Sequence, residues 1–415
     1  MVALRPHLLA GPVQAGELTQ SLGISRPTLL DAYRREQATV LRYGRGRNTW
    51  YAARERFPQL GTDHFPVFRV NESGVIVEAG ELVTLAGNHS IWLPDMEVVF
   101  GLPTEMQDVA PKGFLGRTFA RNNLELDLPD DVNRWSDNHV LIAISRRGED
   151  LPGNLVIGGE SFDRYQQLDY PVHTIDDLEE LAKRALAGEQ IGSSAGGEQP
   201  KYSVLIEGKH RIVKFALGIT DNARRWKDLL ALEHLALTVL AEAGLQSSRA
   251  ELIDQGEMRC LMVDRFDRIG IKGRRAVLTL AGASGQVNGS WTDAAQELAQ
   301  EGQINAADLT TIALLDAFGA QIANTDRHLY NVAFFRDGAN LKLAPAFDQL
   351  PMAYAPPASG HLRTEAVAPA LPRANTLGVW AEATAIARDF WQRASDIELG
   401  ESMREIVNVH RERLV

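Results

Sequence analysis

The chain has 415 residues, 45% of them hydrophobic, so it is long enough to bury a large core and to form two or three domains. Lys and Arg number 43 against 54 Asp and Glu, and the formal net charge of −11 excludes a uniformly basic, nucleic-acid-coating surface. The single cysteine, Cys260, excludes an intramolecular disulfide and a thiolate-held zinc or iron–sulfur centre, as expected in a reducing cytoplasm.

Two stretches are apolar enough to be tested as membrane spans, namely LLALEHLALTVLAEAGL and TTIALLDAFGAQIA. Glu233, His234 and Asp316 interrupt them, and no long apolar stretch stands at the N-terminus. Such side chains are costly inside a bilayer. We therefore expect neither a membrane span nor a signal peptide, and a cytoplasmic location.

Residues 1–57 concentrate positive charge. They hold nine Arg and four acidic residues, a local charge of +5 that leaves −16 on the remainder. The segments LRPHLLA, AGELTQSLGI, SRPTLLDAYRRE and TVLRYGRGRNTWYAA predict three short helices and a hairpin, the order of a winged helix-turn-helix. Gly23 suits the turn between helices, and Ser25 suits an N-cap.

This order predicts that residues 1–57 bind DNA. Arginines of the wing suit phosphates or the minor groove, and the start of the second helix suits base edges. The candidate DNA-binding residues are Arg26, Thr28, Arg34, Arg42, Arg45 and Arg47. The alternative is a small basic domain that binds a partner protein or its own chain.

The next part of the chain predicts a linker and then mainly strands. ERFPQLGTDHFP is rich in Pro, Gly and polar residues, and predicts a linker at 58–66. VFRV, GVIVEAGELVTLAG and SIWLP predict strands, and VLIAISRRGEDLPGNLVIGG predicts a hairpin that turns between Gly148 and Gly153. TIDDLEELAKRALAG predicts a helix with Thr174 as N-cap and Asp177 at the capping-box position.

IGSSAGGEQPKYSVLIEGKHRIVKFAL predicts a Gly-rich loop before two strands that are joined by a Glu-Gly turn. Glycines let backbone N–H groups approach phosphate oxygens, and a lysine closes the loop with positive charge. The candidate phosphate-binding residues are Gly196, Gly197, Gln199 and Lys201. The loop lacks the spacing of a Walker loop, and a plain turn is the alternative.

Lys214 stands among apolar residues of the second strand, where it either reaches solvent or meets an anion. The following helix, NARRWKDLLALEHLALTVLAEAGL, carries Glu233, which either lies on a solvated face or pairs with Lys214. Such a strand-lysine to helix-glutamate pair orients ATP phosphates in kinases. Strand-like RCLMVDRF (259–266) is then a candidate hinge at the adenine edge, with Val263, Asp264 and Phe266.

NTDRHLYNVAFF places Asp326 five residues before Asn331, and Asp348 follows a predicted hairpin around RDGAN. In the kinase catalytic loop a base Asp precedes a Mg²⁺-binding Asn at this interval, and a second metal-binding Asp follows. Phosphoryl transfer depends on positioning and charge neutralisation, which these side-chain types supply. The spacing therefore predicts Asp326 as the base, and Asn331 and Asp348 as Mg²⁺ ligands.

The segments SSAGGEQPK, RIVKF, ALEHLAL, MVDRFDR, NTDRHLYN and LAPAFDQ together resemble the HipA family of bacterial serine/threonine kinases, toxins of type II toxin–antitoxin systems. The resemblance runs from about residue 66 to the C-terminus. With its N-terminal module the chain is similar to the YjjJ-type, single-chain branch, whereas a separate antitoxin supplies that module in the usual pair.

The resemblance also implies roles for individual residues. Lys214 becomes the phosphate contact and His328 a further nucleotide-binding candidate, while Gly196 to Lys201 becomes the ATP loop. Ser194, or alternatively Ser193, is the implied site of autophosphorylation. DQLPM stands where kinases have Asp-Phe-Gly, so the activation-loop behaviour of eukaryotic kinases is not implied.

We therefore expect an α+β chain in four parts: a winged helix-turn-helix (1–57), a linker (58–66), a kinase N-lobe with an N-terminal β subdomain (67–265) and a helical C-lobe (266–415). The expected function is that of an ATP- and Mg²⁺-dependent serine/threonine protein kinase that binds DNA. Its expected partners are a protein with a Ser/Thr acceptor, DNA, and either a second copy or a separate antitoxin. Two alternatives remain: a nucleotide-sensing transcription regulator with a kinase-like domain, and a small-molecule kinase fused to a regulator.

Overall fold

The structure, a computed structural model, describes residues 2–57, 59–93, 96–191, 199–338, 340–357 and 361–413. Helices and strands both contribute throughout, which makes the chain an α+β protein. We name its parts in chain order: the N-terminal module (2–57), the middle region (59–166), the small lobe (172–264) and the large lobe (265–413).

The N-terminal module contains two helices and a small antiparallel sheet of order β1–β3–β2. Its elements are β1 (Val13–Gln14), α1 (Ala15–Leu22), α2 (Arg26–Glu36), β2 (Val40–Tyr43) and β3 (Trp50–Ala53). Gly23 ends α1 at a φ of 61°, and Ser25 caps α2 by accepting the N–H of Thr28 at 3.3 Å. The first predicted helix is only a 3-10 turn, Arg5–Leu8, because Gly11 and Pro12 follow too closely for an α-helical ladder.

Backbone hydrogen bonds and apolar packing join the N-terminal module to the middle region. The N–H of Ala86 donates to Ala53 at 2.8 Å, and the N–H of Glu55 donates to Thr84 at 3.0 Å. Ala86 belongs to the apolar core of the module. A second apolar cluster spans the junction and comprises Tyr43, Ala52, Val83, Leu85 and Ile91. The last three residues of the predicted linker, 64–66, lie in a strand that begins at His64.

The middle region is built on a five-stranded antiparallel sheet of order β7–β6–β5–β4–β8. The strands are β4 (His64–Val70), β5 (Ile76–Leu85), β6 (His89–Leu93), β7 (Glu97–Phe100) and β8 (Leu155–Ile157). The helices are α3 (Thr104–Asp108), α4 (Gly113–Asn122), α5 (Asp137–Arg147) and α6 (Gly159–Gln166). Side chains of α3 and α5, such as Met106 and Leu141, cover the apolar face of the sheet.

The hairpin predicted for VLIAISRRGEDLPGNLVIGG was wrong. Its first half lies in α5, and only β8 is a strand, which pairs with β4. The apolar run fits both the helical and the strand period. Ser136 favours the helix, because its N–H donates to His139 Nδ1 at 3.0 Å and completes a capping box at the start of α5.

The small lobe holds a second five-stranded sheet of order β12–β13–β11–β10–β9. The strands are β9 (Val172–His173), β10 (Lys201–Ile206), β11 (Lys209–Leu217), β12 (Ala250–Gln255) and β13 (Met258–Asp264), and the helices are α7 (Leu178–Leu186) and α8 (Asp221–Glu242). Glu207 and Gly208, with φ of 52° and 74°, form the predicted Glu-Gly turn. The predicted capping box is also present, since the N–H of Thr174 donates to Asp177 at 2.7 Å.

The large lobe is mainly helical around a core that includes Trp291, Phe318, Phe390 and Trp391. Its helices are α9 (Leu280–Ser284), α10 (Trp291–Gln300), α11 (Ala306–Gln321), α12 (Trp380–Ala394) and α13 (Glu401–Arg413). Its strands are β14 (Arg268–Ile269), β15 (Gly273–Arg274), β16 (Val277–Thr279), β17 (Ala333–Asp337) and β18 (Asn340–Leu343). The predicted hairpin around RDGAN is thus formed by β17 and β18. In the part of the chain that the structure describes, no helix is both long and apolar enough to cross a bilayer.

Candidate active site

Two lysines lie on neighbouring strands where the small lobe meets the large lobe, a junction that we call the cleft. Lys201 on β10 and Lys214 on β11 stand directly opposite each other in the antiparallel register, so their side chains share one face of the sheet. Both are buried. Burial lowers the pKa of Lys201, partly offset by the charge of Asp348. The two lysine side chains therefore lie on one face of the sheet, where an anion would favour their protonated forms.

Lys214 is held by carboxylates from both lobes. Its Nζ donates to Glu233 Oε1 at 2.5 Å and also to Asp348 Oδ1. Burial acts to lower the pKa of Lys214, but Asp348 and Glu233 outweigh it and raise that pKa. Burial raises the pKa of Glu233, which is only 1% exposed, against the opposing effect of Lys214. Glu233 thus lies inside the protein beside Lys214 and not on a solvated helix face.

Asp348 approaches the small lobe from the large lobe with a strained backbone. Its φ is 52°, in the left-handed region that few non-glycine residues adopt. Asn324 Nδ2 donates to its carbonyl oxygen at 3.2 Å. Burial would raise the pKa of Asp348, but Lys214 and Lys201 lower it to about 2. The side chain is therefore an ionised carboxylate in the cleft.

The loop after α11 brings Asp326, His328 and Asn331 together. Asn331 Nδ2 donates to the carbonyl oxygen of Asp326 at 2.8 Å, which fixes the amide so that Oδ1 is its remaining atom able to bind a cation. The Asp326 side chain is about half exposed (47%), and its Oδ1 lies 3.7 Å from His328 Nε2. Burial raises the pKa of Asp326, although His328 acts to lower it. An acceptor hydroxyl can therefore reach Asp326 from solvent.

Buried residues outside the predicted set anchor this loop. Arg327 Nε donates to Asp316 Oδ1 at 2.9 Å, and Arg327 Nη1 donates to the carbonyl of Asn324. Thr292 donates to the other carboxylate oxygen of Asp316 at 3.0 Å, and Trp291 Nε1 donates to the carbonyl of His328 at 2.9 Å. An acidic residue inside the otherwise apolar helix α11 indicates such an anchoring role. From the sequence, however, Asp316 was interpreted only as an interruption of an apolar stretch.

The predicted hinge residues lie at the end of β13 and just after it. Val263 is buried in the sheet, and the Asp264 carboxylate forms an ion pair with Arg211, whose Nε lies 3.0 Å from Asp264 Oδ1. The N–H of Asp264 donates to Arg249 at 2.9 Å, so that donor is already used within the protein. The Phe266 ring lies 5.8 Å from that of Phe335 and 5.6 Å from that of Phe347.

The predicted ATP loop is described only in part. Gly196, Gly197, Ser193 and Ser194 lie outside the described residues. Gln199 is half-buried, and its Nε2 has no hydrogen-bond partner in the described part of the chain. A buried amide donor next to Lys201 suits an anionic ligand in the cleft.

The donor set at the cleft suits Mg²⁺ better than a zinc-type metal. No group of three or more His, Cys, Asp or Glu placed to hold a metal occurs among the described residues. Mg²⁺ usually takes one or two protein oxygen ligands and completes its shell with water and phosphate oxygens. The ionised Asp348 and the amide oxygen of Asn331 fit that pattern.

The residues predicted to bind DNA all lie on the surface of the N-terminal module. Arg26, Thr28 and Arg34 on α2 are exposed, as are Arg42, Arg45 and Arg47 on β2 and in the following turn. The Thr28 hydroxyl contacts Ser25 Oγ at 2.9 Å, and Arg34 pairs with Asp31 at 3.1 Å with both side chains exposed.

Comparisons with known proteins agree with this arrangement. Residues 61–166 match a family described as "YjjJ-like toxin, middle domain", and residues 193–414 match the HipA-like C-terminal domain. The chain is 32% identical to Toxin YjjJ of Escherichia coli K12 over 440 residues, covering 100% of this chain and 97% of that protein. The HipA of a Shewanella oneidensis MR-1 complex with HipB and operator DNA shares its fold, with a TM-score of 0.56 at 15% identity, over 84% of this chain and 95% of that one. Because Toxin YjjJ matches this chain over its whole length, and the two family matches agree with it, the chain belongs to the YjjJ-like branch of the HipA toxin family.

Proposed function

We propose that the chain is an ATP- and Mg²⁺-dependent serine/threonine protein kinase whose N-terminal module binds DNA. The observation that carries the proposal is the position of Lys214, which contacts Glu233 of the small lobe and Asp348 of the large lobe at once. A lysine that is oriented by a helix glutamate, beside a metal-binding aspartate, is the arrangement with which kinases hold the phosphates of ATP.

In this proposal Asp326 accepts the proton of the acceptor hydroxyl, because its carboxylate is half exposed at the mouth of the cleft. Lys214 and Lys201 hold phosphate oxygens, with Lys214 exchanging its contact to Asp348 for the nucleotide. Asn331 and Asp348 would hold Mg²⁺, which neutralises charge on the phosphates. Phe266 and the backbone around it would meet the adenine.

DNA binding is supported by the exposed arginines of the N-terminal module and by the order of α1, α2 and the β2–β3 hairpin, which is compatible with the predicted winged helix-turn-helix. The HipA relative from Shewanella oneidensis was solved with HipB and operator DNA. By analogy, this chain would carry its DNA-reading part on the same polypeptide. Ser194 and Ser193 remain the proposed sites of autophosphorylation.

The test is to incubate the purified full-length chain with labelled ATP, Mg²⁺ and a cell lysate, with Asp326→Asn as the matched inactive variant. We expect labelled protein bands that depend on Asp326 and carry phosphoserine or phosphothreonine. Label only in a small molecule would make the chain a metabolite kinase. Binding of ATP with no transfer at all would make it a nucleotide-sensing regulator.

A further inference from the structure

Lys112 lies in the middle region, outside the residues that match the HipA-like domain, yet it contacts the catalytic loop. Its Nζ lies 4.3 Å from the centre of the Tyr330 ring. Tyr330 belongs to the short 3-10 helix Leu329–Asn331, directly beside the proposed metal ligand Asn331. A cation over an aromatic face is attractive, and more so when it is partly removed from water, as here, where the lysine side chain is 32% exposed.

Asp108 holds Lys112 in place and ties it to the large lobe. Lys112 Nζ donates to the Asp108 carbonyl at 2.7 Å and lies 3.4 Å from its carboxylate. The same carboxylate accepts from the N–H and the hydroxyl of Thr279, at 2.6 and 2.7 Å, where α9 begins. The ammonium is therefore fixed relative to the large lobe, and it restrains the Tyr330 ring from one side.

The contact continues from Tyr330 towards the proposed base. The rings of Tyr330 and His328 lie 5.9 Å apart, and His328 Nε2 is 3.7 Å from Asp326 Oδ1. Trp291 holds the carbonyl of His328 from the large lobe. Lys112 thus adds a restraint from the middle region to a loop that is otherwise anchored from within the large lobe.

We infer that Lys112 is a positioning residue for the catalytic loop, so that the middle region takes part in phosphoryl transfer. It acts through Tyr330 and touches no reacting group. The inference rests on the proposed kinase function, because its main readout is the rate of transfer. It also predicts a property of the free protein: without the Lys112 ammonium, the loop at residues 324–332 should open more often.

The test compares Lys112→Met, Lys112→Arg and the control Lys183→Met in the full-length chain. Met keeps the length of the side chain and removes its charge, whereas Arg keeps a cation that can stack on Tyr330. Lys183 pairs with Glu179 on the exposed side of α7, away from the cleft elements. Each variant is assayed for kcat, for KM of ATP, for thermal stability, and for hydrogen–deuterium exchange of the peptide that spans residues 324–332.

We expect Lys112→Met to lower kcat about five-fold or more while KM for ATP stays within about two-fold, because loop geometry changes and nucleotide contacts do not. Exchange in the loop should rise, and Lys112→Arg should restore both. Unchanged rate and exchange in Lys112→Met would overturn the inference. So would a parallel loss of stability, kcat and ATP affinity that Arg does not rescue, since that is a structural effect. If the parent chain transfers no phosphate, the kinase proposal fails, and the exchange data alone decide the role of Lys112.

Discussion

Lys214 and Glu233 form a 2.5 Å ion pair in which the lysine side chain is 8% exposed and the glutamate 1%. Removing one partner of a buried pair leaves the other charge without compensation, at a cost of about 3–5 kcal/mol. We expect Lys214→Met to lower the free energy of unfolding by about this amount, as measured by urea titration. Lys209→Met is the matched control on the same strand, since Lys209 is half exposed and its 3.5 Å pair with Asp264 should contribute under about 1 kcal/mol. Equal effects of the two variants would contradict a buried pair.

Asp326→Asn should nearly abolish phosphate transfer and leave ATP binding intact. The amide keeps the shape of the carboxylate but cannot accept the hydroxyl proton, and loss of a general base lowers the rate by about 10²- to 10⁴-fold. Transfer from labelled ATP and calorimetric ATP affinity are measured in parallel. Asp337→Asn, at the exposed end of β17, should leave both unchanged. Activity of Asp326→Asn within a few-fold of the parent would remove Asp326 from this role.

Asp348→Asn should weaken the binding of ATP in the presence of Mg²⁺ more than in its absence. Asn tolerates the φ of 52° at this position, so the variant tests the charge without adding backbone strain. Loss of the negative ligand should lower Mg²⁺-dependent affinity by about ten-fold or more. Titration calorimetry with and without Mg²⁺ measures both affinities, and identical behaviour of the variant and the parent would remove Asp348 from the metal site.

Asp316→Asn should slow transfer without contacting any reactant. The change weakens the 2.9 Å ion pair to Arg327, and a catalytic loop displaced by about 1 Å can cost about 10²-fold in rate. We expect a fall in kcat of about 10- to 100-fold with KM for ATP little changed. Thr292→Val removes the other partner of Asp316 and leaves Arg327 in place, so it should have the smaller effect. The reverse order of effects would place the anchor at Thr292.

Arg45→Ala and Arg47→Ala should weaken DNA binding almost equally for all sequences. Removing one arginine–phosphate interaction should reduce the slope of log affinity against log salt by about 1, whereas Arg26→Ala or Thr28→Ala should change sequence preference. The full-length chain is used in fluorescence anisotropy because Ala86 completes the apolar core of the module. Arg224→Ala, an exposed arginine in the small lobe, is the control. Absence of binding at low salt would make the module a protein-interaction domain.

Local patterns in the sequence were sufficient for much of the secondary structure. The caps at Ser25 and Thr174, the Glu-Gly turn at 207–208 and the helices α7 and α8 depend on residues a few positions apart, and each prediction agrees with the structure. In α5 the apolar run fitted both the helical and the strand period, and the pattern alone led to the wrong prediction of a strand. The family was likewise predictable, because its motifs are short contiguous segments, and the comparisons confirm it.

Only the tertiary structure decided which of these segments meet. Lys214 and Asp348 are 134 residues apart in the chain, and Asp108 and Thr279 are 171 apart. No local period encodes such contacts, because they depend on how two sheets and a helical lobe pack and on the entropy of the long connections between them. The same holds for the anchoring of Arg327 by Asp316 and for the contact of Lys112 with Tyr330. The sequence by itself therefore determined most of the elements and the side chains with chemical potential, whereas long-range packing selected the partners that hold the loop at residues 324–332.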